Sequence, residues 1–402
     1  MILDDGNLKF LADAELTGKR VLVRVDFNVP LDENQNITDD TRIISSLPTI
    51  NTIIDKGGIP ILISHLGRPK GEPNNKLSLK PVAEFLRNKL NYKVFFADDC
   101  IGEAAVNAVN HAKHGDIVLL ENLRFHKEET ANDTEFARQL AALADVYVND
   151  AFGTAHRAHA STYAVAQFFK RKYAGLLLEK EIRYFETILN KPVKPFLAIL
   201  GGAKISGKID VIKNLITKCD VILIGGGMIF TFLKAMGMEI GQSLVEEDKI
   251  DLAKETLEMA KVNAINIVLP IDIVVAKEFN NNAEHKVVRT DSIPPDYMGL
   301  DIGPETIELF KKEIDLAETI LWNGPLGVFE MPNFAKGTLE ITRSLAKATQ
   351  RGAITVVGGG DSVAAIKQIG MENKFSHVST GGGASLEYLE GIELPAITAL
   401  KI

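Results

Sequence analysis

The chain has 402 residues, of which 46% are hydrophobic and 24% charged, and its formal net charge is −8. That length accommodates two domains with separate cores, and the composition is that of a soluble globular protein. The acidic balance argues against a general nucleic-acid binder and requires any anionic ligand to be met by a local basic cluster. Cys100 and Cys219 are the only cysteines, far apart and without metal-ligand spacing, which suits a reducing compartment. The amino terminus, MILDDGNLKF, shows no basic-then-apolar signal pattern, and no apolar run approaches the ~18 residues of a membrane span. A cytoplasmic protein is expected, with no membrane and no nucleic acid among its partners.

Short apolar runs alternate with segments of helical period: RVLVRVDF, IPILISH, DIVLLEN, DVYVND, FLAIL, DVILIG, NIVLP, TILWNG and ITVVGG. Unalternated Val, Ile and Leu suit strands buried on both faces, and intervening helices suggest βαβ units. After the first run, Asp39 and Asp40 can cap a helix over TRIISSLPTINTIID, with Pro48 predicting a kink and Gly57-Gly58 a stop. The expected fold is α/β: two doubly wound, Rossmann-like parallel-sheet domains facing across a cleft and joined by an interdomain helix. Ligands then sit at the carboxyl ends of the strands. The boundaries are 1–172 for the first domain, 173–192 for the connecting helix and 193–390 for the second domain.

In the first half, RVDFNVP, SHLGRP, ENLRFHKEE and NDAFGTAHRAHAS place Arg24, Asp26, Asn28, His65, Arg68, Arg124, His156, Arg157 and His159 at or just past strand ends, with Arg42 opening the capped helix. Each alone is an ordinary structural or surface side chain. Their convergence in an acidic protein describes a pocket for a small, strongly anionic molecule, because guanidinium forks match phosphate and carboxylate. Asp26 and Asn28 add partners for its hydroxyls.

In the second half, LAILGGAK, ILIGGGMIF, TVVGGGDSVAAI and HVSTGGGASLEYL each pass from apolar run to glycines to helical pattern. One such cluster reads as a tight turn; four point to a polyphosphate ligand at helix N-termini. No dinucleotide fingerprint is completed, because Phe230, Val363 and Leu386 stand at the third positions. Gly202 to Lys208 fits the start of a Walker A loop, yet Ile209 replaces the hydroxyl that would ligate magnesium. Asp361 can take that place, although an N-cap is its plainer reading. Lys204 and Lys208 stand at i and i+4, an unfavourable pairing on a helix unless an anion lies between them.

The segments RVDFNVPL, SHLGRPKG, LLENLRFHKEE, NDAFGTAHRAHAS, GGAKISGKI, GGGMIFTFLKAMGMEIGQSLVEED, DIGPETIELF, LWNGPLGVFE, GGGDSVAA and STGGGASLEYLEG, in this order, resemble the phosphoglycerate kinase family over essentially the whole chain. The resemblance implies reversible Mg²⁺-dependent phosphoryl transfer from 1,3-bisphosphoglycerate to ADP, giving 3-phosphoglycerate and ATP, by a monomeric hinge-bending kinase of glycolysis. It implies Asp26, Asn28, Arg42, His65, Leu66, Gly67, Arg68, Arg124 and Arg157 as the phosphoglycerate site. Arg42 and Lys204, with Gly382 and Gly383 of the Gly381–Gly383 helix start, are implied at the transferring phosphate. Gly202, Lys208, Gly299, Asn323, Glu330, Gly359, Gly360, Asp361 and Ser362 are implied at the nucleotide, with Asp361 the ligand of magnesium. GGAKISGK is then a phosphate site of another design, with the metal held elsewhere. One departure is Ile392, where the family leads us to expect Lys. It bears on the tail, residues 391–402, which is expected to pack back on the first domain and influence closure. The other readings are an NAD-dependent dehydrogenase and a non-catalytic sugar-phosphate-binding protein.

Overall fold

Residues 8–401 are described by the structure, a computed structural model. The segment read above for a leader lies largely outside them, at residues 1–7. The first half supplies strands β1 (Arg20–Arg24), β2 (Ile59–Ile63), β3 (Val94–Ala97), β4 (Ile117–Leu120), β5 (Val146–Asn149) and β6 (Lys172–Ala174). All pair in parallel, in the order β3-β4-β2-β1-β5-β6. Val21, Leu22 and Val23 are consecutive and all fully buried, as a strand covered on both faces requires.

The second half supplies β7 (Phe196–Leu200), β8 (Val221–Ile224), β9 (Asn266–Val268), β10 (Asp272–Ala276), β11 (His285–Arg289), β12 (Met298–Ile302), β13 (Thr319–Asn323), β14 (Ile354–Gly358) and β15 (His377–Val378). Six of these form a second parallel sheet, β15-β14-β13-β7-β8-β9, so both sheets are of the expected kind. The other three make a small antiparallel sheet, β11-β10-β12, which the apolar runs do not announce. β11 is mostly exposed on both faces, so it carries neither a continuous nor an alternating apolar signal. The edge strands β3, β6 and β15 are not among the apolar runs, whereas the edge strand β9 is, as NIVLP.

Contacts group the chain up to Arg183, with the tail from Glu393, as one unit and Tyr184–Ile392 as the other. The division falls inside the helix Leu176–Asn190. In the tail, Ala396 N donates to Ala155 O at 3.1 Å, while Ile392, 48% exposed, closes the second unit with its N–H on Glu387 O. The helix Thr41–Asp55 runs through Pro48, and Asp39 rather than Asp40 caps it, accepting from Thr41 N at 3.0 Å. Gly57, at φ 79°, turns the chain out of that helix into β2.

Candidate functional site

In the first unit, β1 and β2 are neighbours in the sheet, so residues 24–28 and 63–68 leave the same edge side by side. Ser64 Oγ accepts from Phe27 N at 2.8 Å, and Asn28 Oδ1 accepts from Gly67 N at 2.8 Å. Asp26 Oδ2 accepts from Arg42 Nη1 at 2.7 Å. The turn after β4 is tied to this pair by Asn122. Its Oδ1 accepts from Leu66 N and Arg124 N, both at 3.1 Å, and its Nδ2 donates to Leu66 O at 2.7 Å and Leu77 O at 2.8 Å. Leu66, buried with both backbone groups so used, holds the turn in place. Arg124 Nη1 donates to Gly67 O at 2.8 Å.

Beneath these lies a buried, charge-balanced network that sequence reasoning did not find. Arg24 and Glu129 are both fully buried. Arg24 Nε donates to Ser161 Oγ at 2.8 Å, a further N–H meets Val25 O, and Nη2 lies 3.2 Å from His65 Nδ1. Ser161 in turn donates its hydroxyl to Glu129 Oε1 at 2.6 Å and its N–H to Oε2 at 2.9 Å.

The electrostatics report a surplus of cations. Burial, then Arg24, Arg124, Arg42 and His159, hold His65 well below the usual histidine range. His159 falls to about 4 through burial and the charges of Arg124, Arg24 and Arg157. Burial and the neighbouring Arg24, Arg157 and Arg68 bring even Arg124 down to about 10, and its buried Nε has no hydrogen-bond partner among the described residues. Arg157 Nε reaches His156 Nε2 at 3.1 Å, and Arg68 is exposed. Guanidinium groups that each feel the others' charge, with an orphaned donor among them, form a receptor for an anion.

In the second unit the loops after β7, β8 and β13 interlock through backbone. Gly201 N donates to Asn323 O, Gly202 N to Pro325 O and Gly226 N to Leu326 O, at 2.9–3.0 Å. A Cβ on Gly201 would lie 2.1 Å from Pro325 O, so part of the glycine signal is close packing rather than phosphate binding. Lys204 and Lys208 do not share a helix. Residues Ile205–Gly207 form a 3₁₀ turn and the α-helix starts at Ile209, so the i,i+4 argument does not apply to them. Lys204 is exposed. Lys208 is mostly buried, and its Nζ donates to Asn323 Oδ1. Burial draws it down to about 8 against the opposing pull of Asp361 and Glu390.

Asn323 ends β13, is fully buried and leaves Nδ2 without a hydrogen-bond partner among the described residues. Gly359, at φ 86°, is the N-cap of the helix Gly360–Gln368, which places exposed Asp361 in the first turn rather than at the cap. Ser362 Oγ is buried and accepts from Gly324 N at 2.6 Å. Gly382 precedes the helix Gly383–Leu389. Gly202, Gly299, Glu330 and Asp361 line a cavity of about 500 Å³. Its apolar wall is Phe230, Leu244, Phe279 and Met298, none of them singled out from the sequence as a wall. Phe230, which breaks a dinucleotide fingerprint, packs where a Gly299 side chain would begin. A flat apolar wall with an acidic rim and glycine turns suits a nucleoside polyphosphate.

A family model described as Phosphoglycerate kinase matches residues 11–392. The chain is 56% identical over 393 residues to the phosphoglycerate kinases of Chlorobium phaeobacteroides (strain BS1) and Chlorobaculum tepidum, covering 98% of this chain and 99% of each of those. Among solved structures, phosphoglycerate kinase from Coxiella burnetii is 40% identical, with a TM-score of 0.89 over 98% of both chains. That from Pyrococcus horikoshii OT3 is 31% identical, with a TM-score of 0.84 over 98% of both chains. Fold and comparisons together define a phosphotransferase with a carboxyl group as acceptor. The chain belongs to the phosphoglycerate kinase family, and neither the dehydrogenase nor the pure binding-protein reading is favoured.

Proposed function

We propose that the first unit holds the phosphoglycerate and the second the nucleotide. The observation that carries this is the cationic cluster at one sheet edge, where Arg124 keeps a buried orphan donor beside His65, Arg42 and Asp26. Arg42, Arg68, Arg124 and Arg157 would take the anionic groups of the ligand, with Asp26 and Asn28 at its hydroxyl. His65 would act as a neutral donor. Arg24 can only donate, so the Nδ1 of His65 must accept and its proton resides on Nε2.

The nucleotide reading rests on the glycine turns and the apolar cavity, with Lys208 and the Gly359–Ser362 turn on the phosphates. The residues present fit Mg²⁺ bound with nucleotide. Asp361 offers an exposed carboxylate that makes no hydrogen bond among the described residues, and hard oxygen ligands are what that ion takes. When bound it supplies charge neutralisation on the nucleotide phosphates.

A β-phosphate oxygen of ADP attacks the acyl phosphorus, and the bond from phosphorus to the carboxyl oxygen breaks. The leaving group is a carboxylate and the nucleophile is already an anion, so no general base is needed. The protein aligns the groups and offsets charge on the group in transfer. Lys204 and Arg42 would do so, with the backbone N–H groups at Gly382 and Gly383. Because acyl phosphates are lost to water, closing of the two units is part of this reading, as are a single chain, small-molecule partners and a cytoplasmic setting. The test is ATP consumption with 3-phosphoglycerate and Mg²⁺, coupled to removal of 1,3-bisphosphoglycerate. Turnover requiring all three is expected, and turnover without the acceptor would overturn it.

A further inference from the structure

A separate cluster in the first unit combines three kinds of ligand atom. His126 Nε2 lies 2.7 Å from Asp99 Oδ1, and Cys100 follows Asp99 in the chain. One atom from each of Asp99, Cys100 and His126 can be chosen so that all lie within 4.8 Å of one another. Asp99 and His126 line a cavity of about 580 Å³, whose wall also carries Asp98, Glu121 and Lys80. Cys100 is fully buried behind them.

We propose that the Asp99 carboxylate, Cys100 Sγ and His126 Nε2 form a binding site for a thiophilic divalent cation of the Zn²⁺ class, with a fourth position open to the cavity. Sulfur, imidazole and carboxylate together select such an ion, whereas magnesium prefers oxygen alone, so this site is distinct from any metal carried by the nucleotide. Metal–ligand bonds of about 2.0–2.3 Å put tetrahedral ligand atoms roughly 3.5 Å apart, so the trio must contract by about 1 Å. Asp99 Oδ1 also accepts from Cys100 N at 2.6 Å, so the contraction exchanges hydrogen bonds of this carboxylate for bonds to the metal.

Without metal, protons hold the cluster together. Asp99 raises the His126 affinity for its proton, Glu128 adds to this, and burial opposes it. Burial, Asp99 and Glu129 hold the Cys100 thiol well above its ordinary range. Binding is then M²⁺ plus Cys–SH plus HisH⁺ giving the Cys–S⁻, His and Asp complex and two protons. The sequence hid the site because only two of the ligands are adjacent and the third stands beyond β4, two residues after Arg124.

The test uses the intact protein, free of nucleotide and magnesium, titrated with Co²⁺ and read by the thiolate-to-cobalt absorption band and by displacement with Zn²⁺. One equivalent per chain is expected, with the band kept in Cys219→Ser and lost in Cys100→Ser. His126→Gln and Asp99→Asn, both at partly exposed side chains, should weaken binding at least about tenfold. A saturated protein lacking the thiolate band, a band that survives Cys100→Ser, or unchanged affinity in His126→Gln would each overturn the site.

Discussion

Arg24 Nη2 sits 3.2 Å from His65 Nδ1, and this contact fixes which ring nitrogen of His65 carries a proton. A guanidinium has no lone pair to offer, so the ring must accept at Nδ1 and can donate only at Nε2. Burial above all, and after it the Arg24 cation facing Nδ1, hold the affinity of His65 for a proton well below the usual histidine range. Arg24 touches the ring and acts through it, as a positioning residue.

Removing that cation should raise the affinity of His65 for a proton. Arg24→Met alone would strand Glu129, so the charge-balanced pair Arg24→Met with Glu129→Gln is the better variant. In the parent protein the His65 ring is expected by NMR to carry its proton on Nε2 without titrating from pH 5.5 to 7.5. In the double variant its affinity for a proton should rise, with burial, Arg124 and Arg42 still holding it down, so the ring should begin to protonate at the acid end of that range and the KM for 3-phosphoglycerate should rise there. An unaltered ring tautomer and a flat KM profile in the variant would contradict the role.

Two buried groups give the first unit opposing pH dependences. His159, lowered to about 4, binds fewer protons folded than unfolded, so its contribution is lost as pH falls through 6.5 towards 4. Asp150 is raised to about 7 by burial, against hydrogen bonds from Thr49, Leu178 and Leu177. It binds more protons folded than unfolded between 3.8 and 7, so its contribution is lost as pH rises across that window. Asp150→Asn removes the second effect only. Relative to the parent, the variant should gain on the order of 1–3 kcal/mol between pH 5 and pH 8, measured by denaturant unfolding at both. Parallel stability curves would show that Asp150 does not titrate in this range.

Lys204 is exposed and makes no side-chain hydrogen bond among the described residues, so the fold does not depend on its ammonium group. Lys204→Ala should leave stability within about 0.5 kcal/mol of the parent. It should lower kcat by roughly 10²–10³, as loss of a charge partner for the group in transfer does. A raised KM with kcat intact would assign it to ground-state binding instead.

What the sequence made legible was whatever lies at a strand end. Apolar runs position Arg24, Asp26, His65 and Arg124 unambiguously, because a parallel sheet delivers every carboxyl end to one edge. The supports were not legible, since their partners are remote in sequence. Asn122 reaches Leu66 from 56 residues away, and Ser161 reaches Glu129 from 32. The apolar cavity was hidden for a further reason. Phe230, Leu244, Phe279 and Met298 come from unrelated segments, and the last lies on an antiparallel sheet without a clear pattern. Lys204 and Lys208 read as helical neighbours in sequence because a 3₁₀ turn and an α-helix share the same local residue types there.

Lys208 links the second unit to pH. The form that meets phosphate is the charged one, yet burial holds its affinity for a proton down to about 8. Between pH 7 and 9.5 the free protein therefore loses that charge, while a bound polyphosphate restores it. ADP affinity should fall across this range, and binding at pH 8.5 should take up close to half a proton or more, read from the buffer dependence of the calorimetric enthalpy. Lys208→Met should weaken ADP by at least about tenfold at pH 7 and abolish the proton uptake, since the group that gains the proton is gone. Asn323 Oδ1, the present partner of the lysine, would then be left buried without it, so unfolding should be checked in the same variant. If ADP binding in the parent protein is independent of pH up to 9.5, Lys208 is charged in the free state and the buried environment is more strongly compensated by Asp361 and Glu390 than burial alone implies.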